Sequence, residues 1–154
     1  LEILKTTQSG FVGYPKDRYT SLPESTDRLL GTSADAEWVY NSDLVNRGKI
    51  DYNASFEKAV NALLETFSGP ADKGIYSKSV QETLYLMACD AIKEVSSIDE
   101  VTLMMPNIHN LPFNLETYGF RNKDHTGNPF IFYPIDEPHG MIKATVTRTV
   151  RSRL

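Results

Sequence analysis

The stretch 77–95, SKSVQETLYLMACDAIKEV, fits few conformations other than a helix with a marked start. Ser79-Val80-Gln81-Glu82 has the capping-box spacing. In that motif a Ser hydroxyl accepts from the backbone three residues on, and the Glu reaches back. Val80, Leu84, Met87, Ala88, Ala91, Ile92 and Val95 then share one helical face. A second stripe comes earlier: Phe56, Ala59, Val60, Leu63, Leu64 and Phe67, with Asn53 as its cap and Gly69-Pro70 as its stop. With Ser79 as cap, Gln81 falls in the first turn. Unpaired N–H groups and the helix dipole favour an anion there. An ordinary amphipathic helix that exposes a Gln is the plainer reading of the same residues.

The segments on either side of the two helices have the period of strands. Ala34, Ala36, Trp38 and Tyr40 alternate with Ser33, Asp35, Glu37 and Val39, and Ile142, Ala144 and Val146 alternate with Lys143, Thr145 and Thr147. Strands are expected near 1–12, 28–41, 101–111 and 141–150, and helices near 54–68 and 79–95, with bounds good to about 2–4 residues. Pro106 cannot donate to a ladder and marks an edge or a bulge. Residues 41–51 and 116–128 read as polar connections. The order ββααββ predicts an α+β fold: an antiparallel four-stranded sheet with both helices on one face. The other face then needs cover from ligand, water or a partner.

At 154 residues the chain is long enough for one domain with a real core. Its net charge of −4 does not favour a nucleic-acid partner. Cys89 stands alone, which allows no intrachain disulfide and fits a reducing compartment. No apolar run reaches membrane-spanning length, so no membrane partner is expected, and the opening LEILKTTQSG lacks a signal-peptide pattern. That opening has no initiator Met and reads as starting inside a strand, the expectation for a fragment or a processed chain.

Several residues have chemistry to offer. Asn107 and His109 are two apart on an expected strand, so both point to one face. An amide beside an imidazole can hold and move a proton; a His satisfied within the core, with Asn at a bulge, is the alternative. Arg28 opens a strand and offers a planar fork of donors to a flat or anionic ligand, unless it is an exposed strand-end arginine. Phe11 can stack on a ring or belong to the core. His125 and His139 lie in loops without metal-ligand spacing, and no Gly-rich phosphate loop or Ser–His–Asp pattern occurs. Ser152-Arg153-Leu154 is a variant of the Ser-Lys-Leu peroxisomal address.

Taken together, these segments resemble a known family. Leu4-Lys5-Thr6-Thr7-Gln8-Ser9-Gly10-Phe11, Leu22-Pro23-Glu24 leading to Asp27-Arg28, the run from Tyr76 to Tyr85, Pro106-Asn107-Ile108-His109, Asp136-Glu137-Pro138-His139-Gly140 and the terminal tripeptide occur in the order of the C-terminal half of urate oxidase (uricase). Members of that family are about twice this length, and the N-terminal half is absent here. The resemblance implies a single tunnelling-fold (T-fold) unit, with subunits assembling into stacked barrels as a tetramer. It implies oxidation of urate by O2 to 5-hydroxyisourate and hydrogen peroxide, without a metal or organic cofactor. On this likeness Arg28 and Gln81 grip urate, Val80 contributes its backbone, Phe11 is the stacking platform and Leu22 a wall. Asn107 is similar to the residue that holds dioxygen, and His109 to a member of the proton relay. A catalytic Lys and Thr belong to the missing half. A peroxisomal location and an import receptor follow from the tripeptide. Two other readings stay open. One is a non-catalytic truncated subunit that keeps the fold and the assembly surface. The other is a different tunnelling-fold enzyme acting on a pterin or purine, several of which need a zinc cluster that this sequence lacks.

Overall fold

The computed structural model of the chain describes residues 1–125, 127–135 and 137–148. The tripeptide Ser152-Arg153-Leu154 lies outside the described residues. In chain order the elements are β1 (Glu2–Lys5), β2 (Leu30–Ser33), β3 (Asp35–Tyr40), α1 (Ser42–Asn46), α2 (Tyr52–Ser68), α3 (Val80–Glu94), β4 (Ile98–Pro106), β5 (His109–Pro112), β6 (Phe132–Ile135) and β7 (Met141–Thr147), with a 3-10 turn at Glu116–Tyr118.

Helix α3 starts where its cap demands. The Ser79 hydroxyl accepts from the Glu82 N–H at 3.1 Å. Only half of the capping box forms, because the Glu82 carboxylate turns to Lys78 at 3.4 Å instead of reaching back. Every residue of the expected stripe, from Val80 to Val95, is buried. Arg148 closes the other end of the helix: its guanidinium donates to the carbonyls of Ile92, Val95 and Ile98. The Ile92 and Val95 carbonyls are at the end of α3, where a helix leaves carbonyls without partners, and Ile98 opens β4.

Helix α2 differs from expectation at its start. Asp51, not Asn53, is the cap, and its carboxylate accepts from the Ala54 N–H at 3.0 Å. Both residue types cap well. The earlier start brings Tyr52 edge-on to Tyr40, ring centres 5.1 Å apart. It also rotates the buried face to Ser55, Ala59, Ala62, Leu63 and Phe67. Phe56, expected in the stripe, is half exposed, its ring tilted against Trp38 with centres 5.9 Å apart.

All named strand pairs are antiparallel: β1 with β2, β4 with both β3 and β7, and β5 with β6. The α+β architecture therefore holds, but the expected long strands are broken. The strand expected over 28–41 divides at Ala34, and the one over 101–111 divides after Pro106. Pro106 supplies no N–H, so the ladder stops there and Asn107 turns to Gly140 instead, N to O 2.8 Å. A bridge from Gly31 to Ile108 ties the two broken strands together across the gap. The strand expected over 1–12 ends at Lys5. Gln8 takes a positive φ of 59°, which turns the chain away so that Ser9 bridges to Ser77 and Phe11 to Ser25. The short α1 lies in the 41–51 segment expected to be a connection, and β6 is a strand beyond the four that were expected.

The core lies between helices and sheet. Ile98, Val101, Leu103 and Met105 of β4 are fully buried against the apolar face of α3. The opposite sheet face is polar: Thr102 pairs with Glu37 on one side and Thr145 on the other, the two threonine hydroxyls 2.7 Å apart.

Candidate active site

Four segments distant in sequence converge beside the N-terminus of α3. The first carries Phe11. Paired backbone bonds with Ser25, 2.7 and 3.1 Å, hold it in place, and its ring stacks on Tyr14 at 4.5 Å. The second is the loop through Leu22. It is pinned by the Tyr14 hydroxyl, which donates to the Leu22 carbonyl, and by the Glu24 carboxylate, which accepts from the Gly13 N–H at 3.0 Å and pairs with Lys16. The Gly13 N–H and then Lys16 hold that carboxyl below the usual carboxylate range.

Arg28 lies just before β2, in an extended stretch fixed by a bond from its N–H to the Ser9 carbonyl at 2.8 Å. It is not the first residue of a strand, as expected, but its guanidinium sits over the Phe11 ring at 5.8 Å. Its Nε is buried and has no hydrogen-bond partner among the described residues. Burial lowers its pKa, and the neighbouring Tyr76 acts in the opposite direction. An unpaired buried donor is costly, so this atom is poised for an acceptor brought by a ligand.

The third segment is the first turn of α3. Val80 is buried and Gln81 exposed, and among the described residues neither backbone N–H has a carbonyl partner, as a first turn requires. The fourth is the break between β4 and β5. Asn107 lies in the break and His109 opens β5 opposite Ile135. They do not share one continuous strand, yet they emerge on the same side, because Ile108 between them is tied back to Gly31.

Phe11, Leu22, Arg28, Val80, Gln81, Asn107 and His109 all line one pocket of about 650 Å³. Among the described residues the side chains of Gln81, Asn107 and His109 make no hydrogen bond, which leaves their polar atoms to a ligand. The arrangement offers a ring face, a guanidinium, an amide that both donates and accepts, and an imidazole. That set suits a flat, polar, anionic molecule. Sequence reasoning missed Leu111 and Phe132, which also line the pocket. Period two from Asn107 and His109 already points to Leu111. Phe132 belongs to a strand whose pairing with β5 no local signal announces.

Gly10 controls how Phe11 sits. A Cβ there meets the Tyr76 hydroxyl at 2.1 Å and the Ser25 carbonyl at 2.8 Å, the carbonyl that anchors Phe11. Gly10→Ala is expected to cost about 1–3 kcal/mol in urea unfolding, as overpacking does, and to displace the ring from the guanidinium. Unchanged unfolding would show that the 9–11 segment gives way freely.

The chain is similar to known proteins in both sequence and fold. The family pattern described as Uricase matches residues 1–143. The uricase of Arabidopsis thaliana is 41% identical over 156 residues, covering 96% of this chain and 48% of its own length. The uricase of Oryctolagus cuniculus is 38% identical over 154 residues, with 100% and 48% covered. The crystal structure of uricase from Arthrobacter globiformis superposes with a TM-score of 0.82 at 34% identity, covering 100% of this chain and 48% of that one. The fold is the tunnelling fold of these proteins, and the chain spans about half the length of the curated relatives it matches. On its residues, its fold and these likenesses, the chain belongs to the uricase family.

Proposed function

We propose that this chain is the C-terminal unit of a urate oxidase and supplies the half of the site that grips the substrate. The observation that carries the reading is the convergence of Phe11, Arg28, Gln81, Asn107 and His109 on one pocket, with the Arg28 Nε buried and unpartnered among the described residues. Urate is a flat anion with adjacent carbonyl and N–H groups. Arg28 donates two parallel hydrogen bonds to one edge, Gln81 donates and accepts at another, and Phe11 lies under the ring with Leu22 as a side wall. The N–H groups of Val80 and Gln81 face the anion from the helix N-terminus.

In the reaction the urate dianion gives two electrons to O2. Water adds to the oxidised ring, and the products are 5-hydroxyisourate and hydrogen peroxide, so that urate, O2 and water balance the two products. Asn107 holds the dioxygen or peroxide above the ring. His109 passes protons between water and peroxide. The electrons come from the substrate, so no cofactor is required. A Lys and a Thr from an N-terminal half complete the relay across a subunit interface, in a tetramer. Ser152-Arg153-Leu154, read by an import receptor, sends the peroxide-forming enzyme to peroxisomes.

The test is turnover by the chain assembled with a uricase N-terminal half, followed as loss of urate absorbance beside peroxide formation with no added cofactor. Equimolar urate loss and peroxide gain are expected. Binding of urate without turnover would favour the non-catalytic subunit, and no binding would end the reading. Assembly has its own check. Tyr118, Phe120, Phe130 and Met141 are each more than half exposed, large apolar side chains that an assembly would cover. Light scattering at micromolar concentration is expected to show oligomers, and a monodisperse monomer would contradict this.

A further inference from the structure

We infer that Lys5, which lies outside the pocket, is a positioning residue: its ammonium holds the segments bearing Phe11, Arg28 and Gln81 in register for the ligand. This rests on the urate-gripping role of the pocket proposed above.

Lys5 is the last residue of β1 and only 8% exposed. Burying an ammonium is costly unless it is paired. Among the described residues no carboxylate pairs with it. It donates instead to the Ile75 carbonyl at 2.8 Å and the Ser77 hydroxyl at 2.9 Å, and it lies 5.0 Å from the centre of the Phe67 ring. Both acceptors are on the strap that leads into α3. Ser77 is two residues before the Ser79 cap and four before Gln81.

The backbone of Ser77 extends the connection. Its N–H donates to the Gln8 carbonyl and its carbonyl accepts from the Gly10 N–H, each at 2.9 Å. Gly10 precedes Phe11, and the Ser9 carbonyl takes the Arg28 N–H. Lys5 itself pairs through its backbone with Leu30, two residues past Arg28. The ammonium therefore ties β1 to the strap, and the strap leads on, by the Ser77 and Ser9 backbone bonds and by the chain into α3, to the segments that carry the ring platform, the guanidinium and the amide. Lys5 is absent from the pocket lining and faces a separate groove between 4–8 and 68–74. It acts through the others and does not touch the ligand. Bidentate recognition tolerates displacement of only about 0.5 Å, so a link of this kind bears on affinity directly.

A buried cation of this sort is a poor source of stability, and an apolar group of the same shape often stabilises as well or better. That separates positioning from mere support. In the assembled protein, Lys5→Met is expected to melt at the parent's temperature or above. It should weaken 8-azaxanthine binding by calorimetry about tenfold and raise KM for urate in parallel, with kcat within about threefold. Analogue affinity equal to the parent's overturns the inference. So does a loss of affinity seen only alongside a fall in melting temperature. If Lys5→Met does not fold, Ser77→Ala carries the test: it deletes one acceptor, keeps the bond to Ile75, and is expected to weaken analogue binding about threefold. Unchanged affinity there overturns the inference equally. A parent that binds no 8-azaxanthine refutes the urate reading itself, and the inference with it; a parent that binds leaves the variants to judge Lys5 alone.

Discussion

Arg28→Lys is expected to weaken binding of 8-azaxanthine by about 2 kcal/mol, roughly thirtyfold in Kd. Lys keeps the positive charge, so a site that works by charge alone would barely notice the change. What it loses is the planar fork. The Arg28 guanidinium lies over the Phe11 ring and carries a buried Nε with no partner among the described residues. A lysine ammonium places a single point of donation where a flat anion needs two parallel bonds. Gln81→Ala is expected to act in the same direction, by about 1–3 kcal/mol, because the polar edge of the ligand is then left unpaired. Calorimetric titration of both variants beside the parent measures this. Affinity equal to the parent's in both would mean that the gripping pair is misassigned.

His109→Ala is expected to separate binding from chemistry. The proposed role of His109 is to move protons. Removing a positioned acid–base group lowers turnover by about 10²–10⁴-fold. The planar contacts of the ligand with Phe11, Arg28 and Gln81 remain, so analogue affinity should change by less than about threefold. The position of His109 at the first residue of β5, beyond the Asn107 break, allows its side chain to be cut back without disturbing the helix or the core. The readout is kcat from urate loss set against analogue Kd on the same preparation. Abolished analogue binding would make His109 a binding or structural residue and would end this division of roles.

The parts of the fold that were legible in the sequence are those governed by local chemistry. The stripe of α3 and its Ser79 cap follow from 3.6-residue spacing and one hydroxyl, and the structure buries that stripe from Val80 to Val95. Antiparallel pairing followed from strand order. What stayed hidden depends on partners far along the chain. Gln8 leaves the strand because Ser9 and Gly10 meet Ser77, some 70 positions later, and no pattern within residues 1–12 encodes that. Asn53 was read as the cap of α2 where Asp51 is, since both types cap well and the contact of Tyr52 with Tyr40 lies outside the helix's own pattern. The site was legible in a different way. Spacing alone left Arg28, Asn107 and His109 with ordinary structural explanations, and only the family resemblance joined them to Phe11, Leu22, Val80 and Gln81. The structure brings all seven to one pocket but adds Leu111 and Phe132, which enter through the pairing of β5 with β6.

The most direct test of the central claim is a crystal structure of the assembled protein with 8-azaxanthine. The account requires the analogue in the 650 Å³ pocket, its face on Phe11, one edge within hydrogen-bond distance of the Arg28 guanidinium and another on Gln81, with Asn107 and His109 to one side of the ring. An analogue bound elsewhere, or bound in the pocket with Arg28 and Gln81 both out of reach, would contradict it.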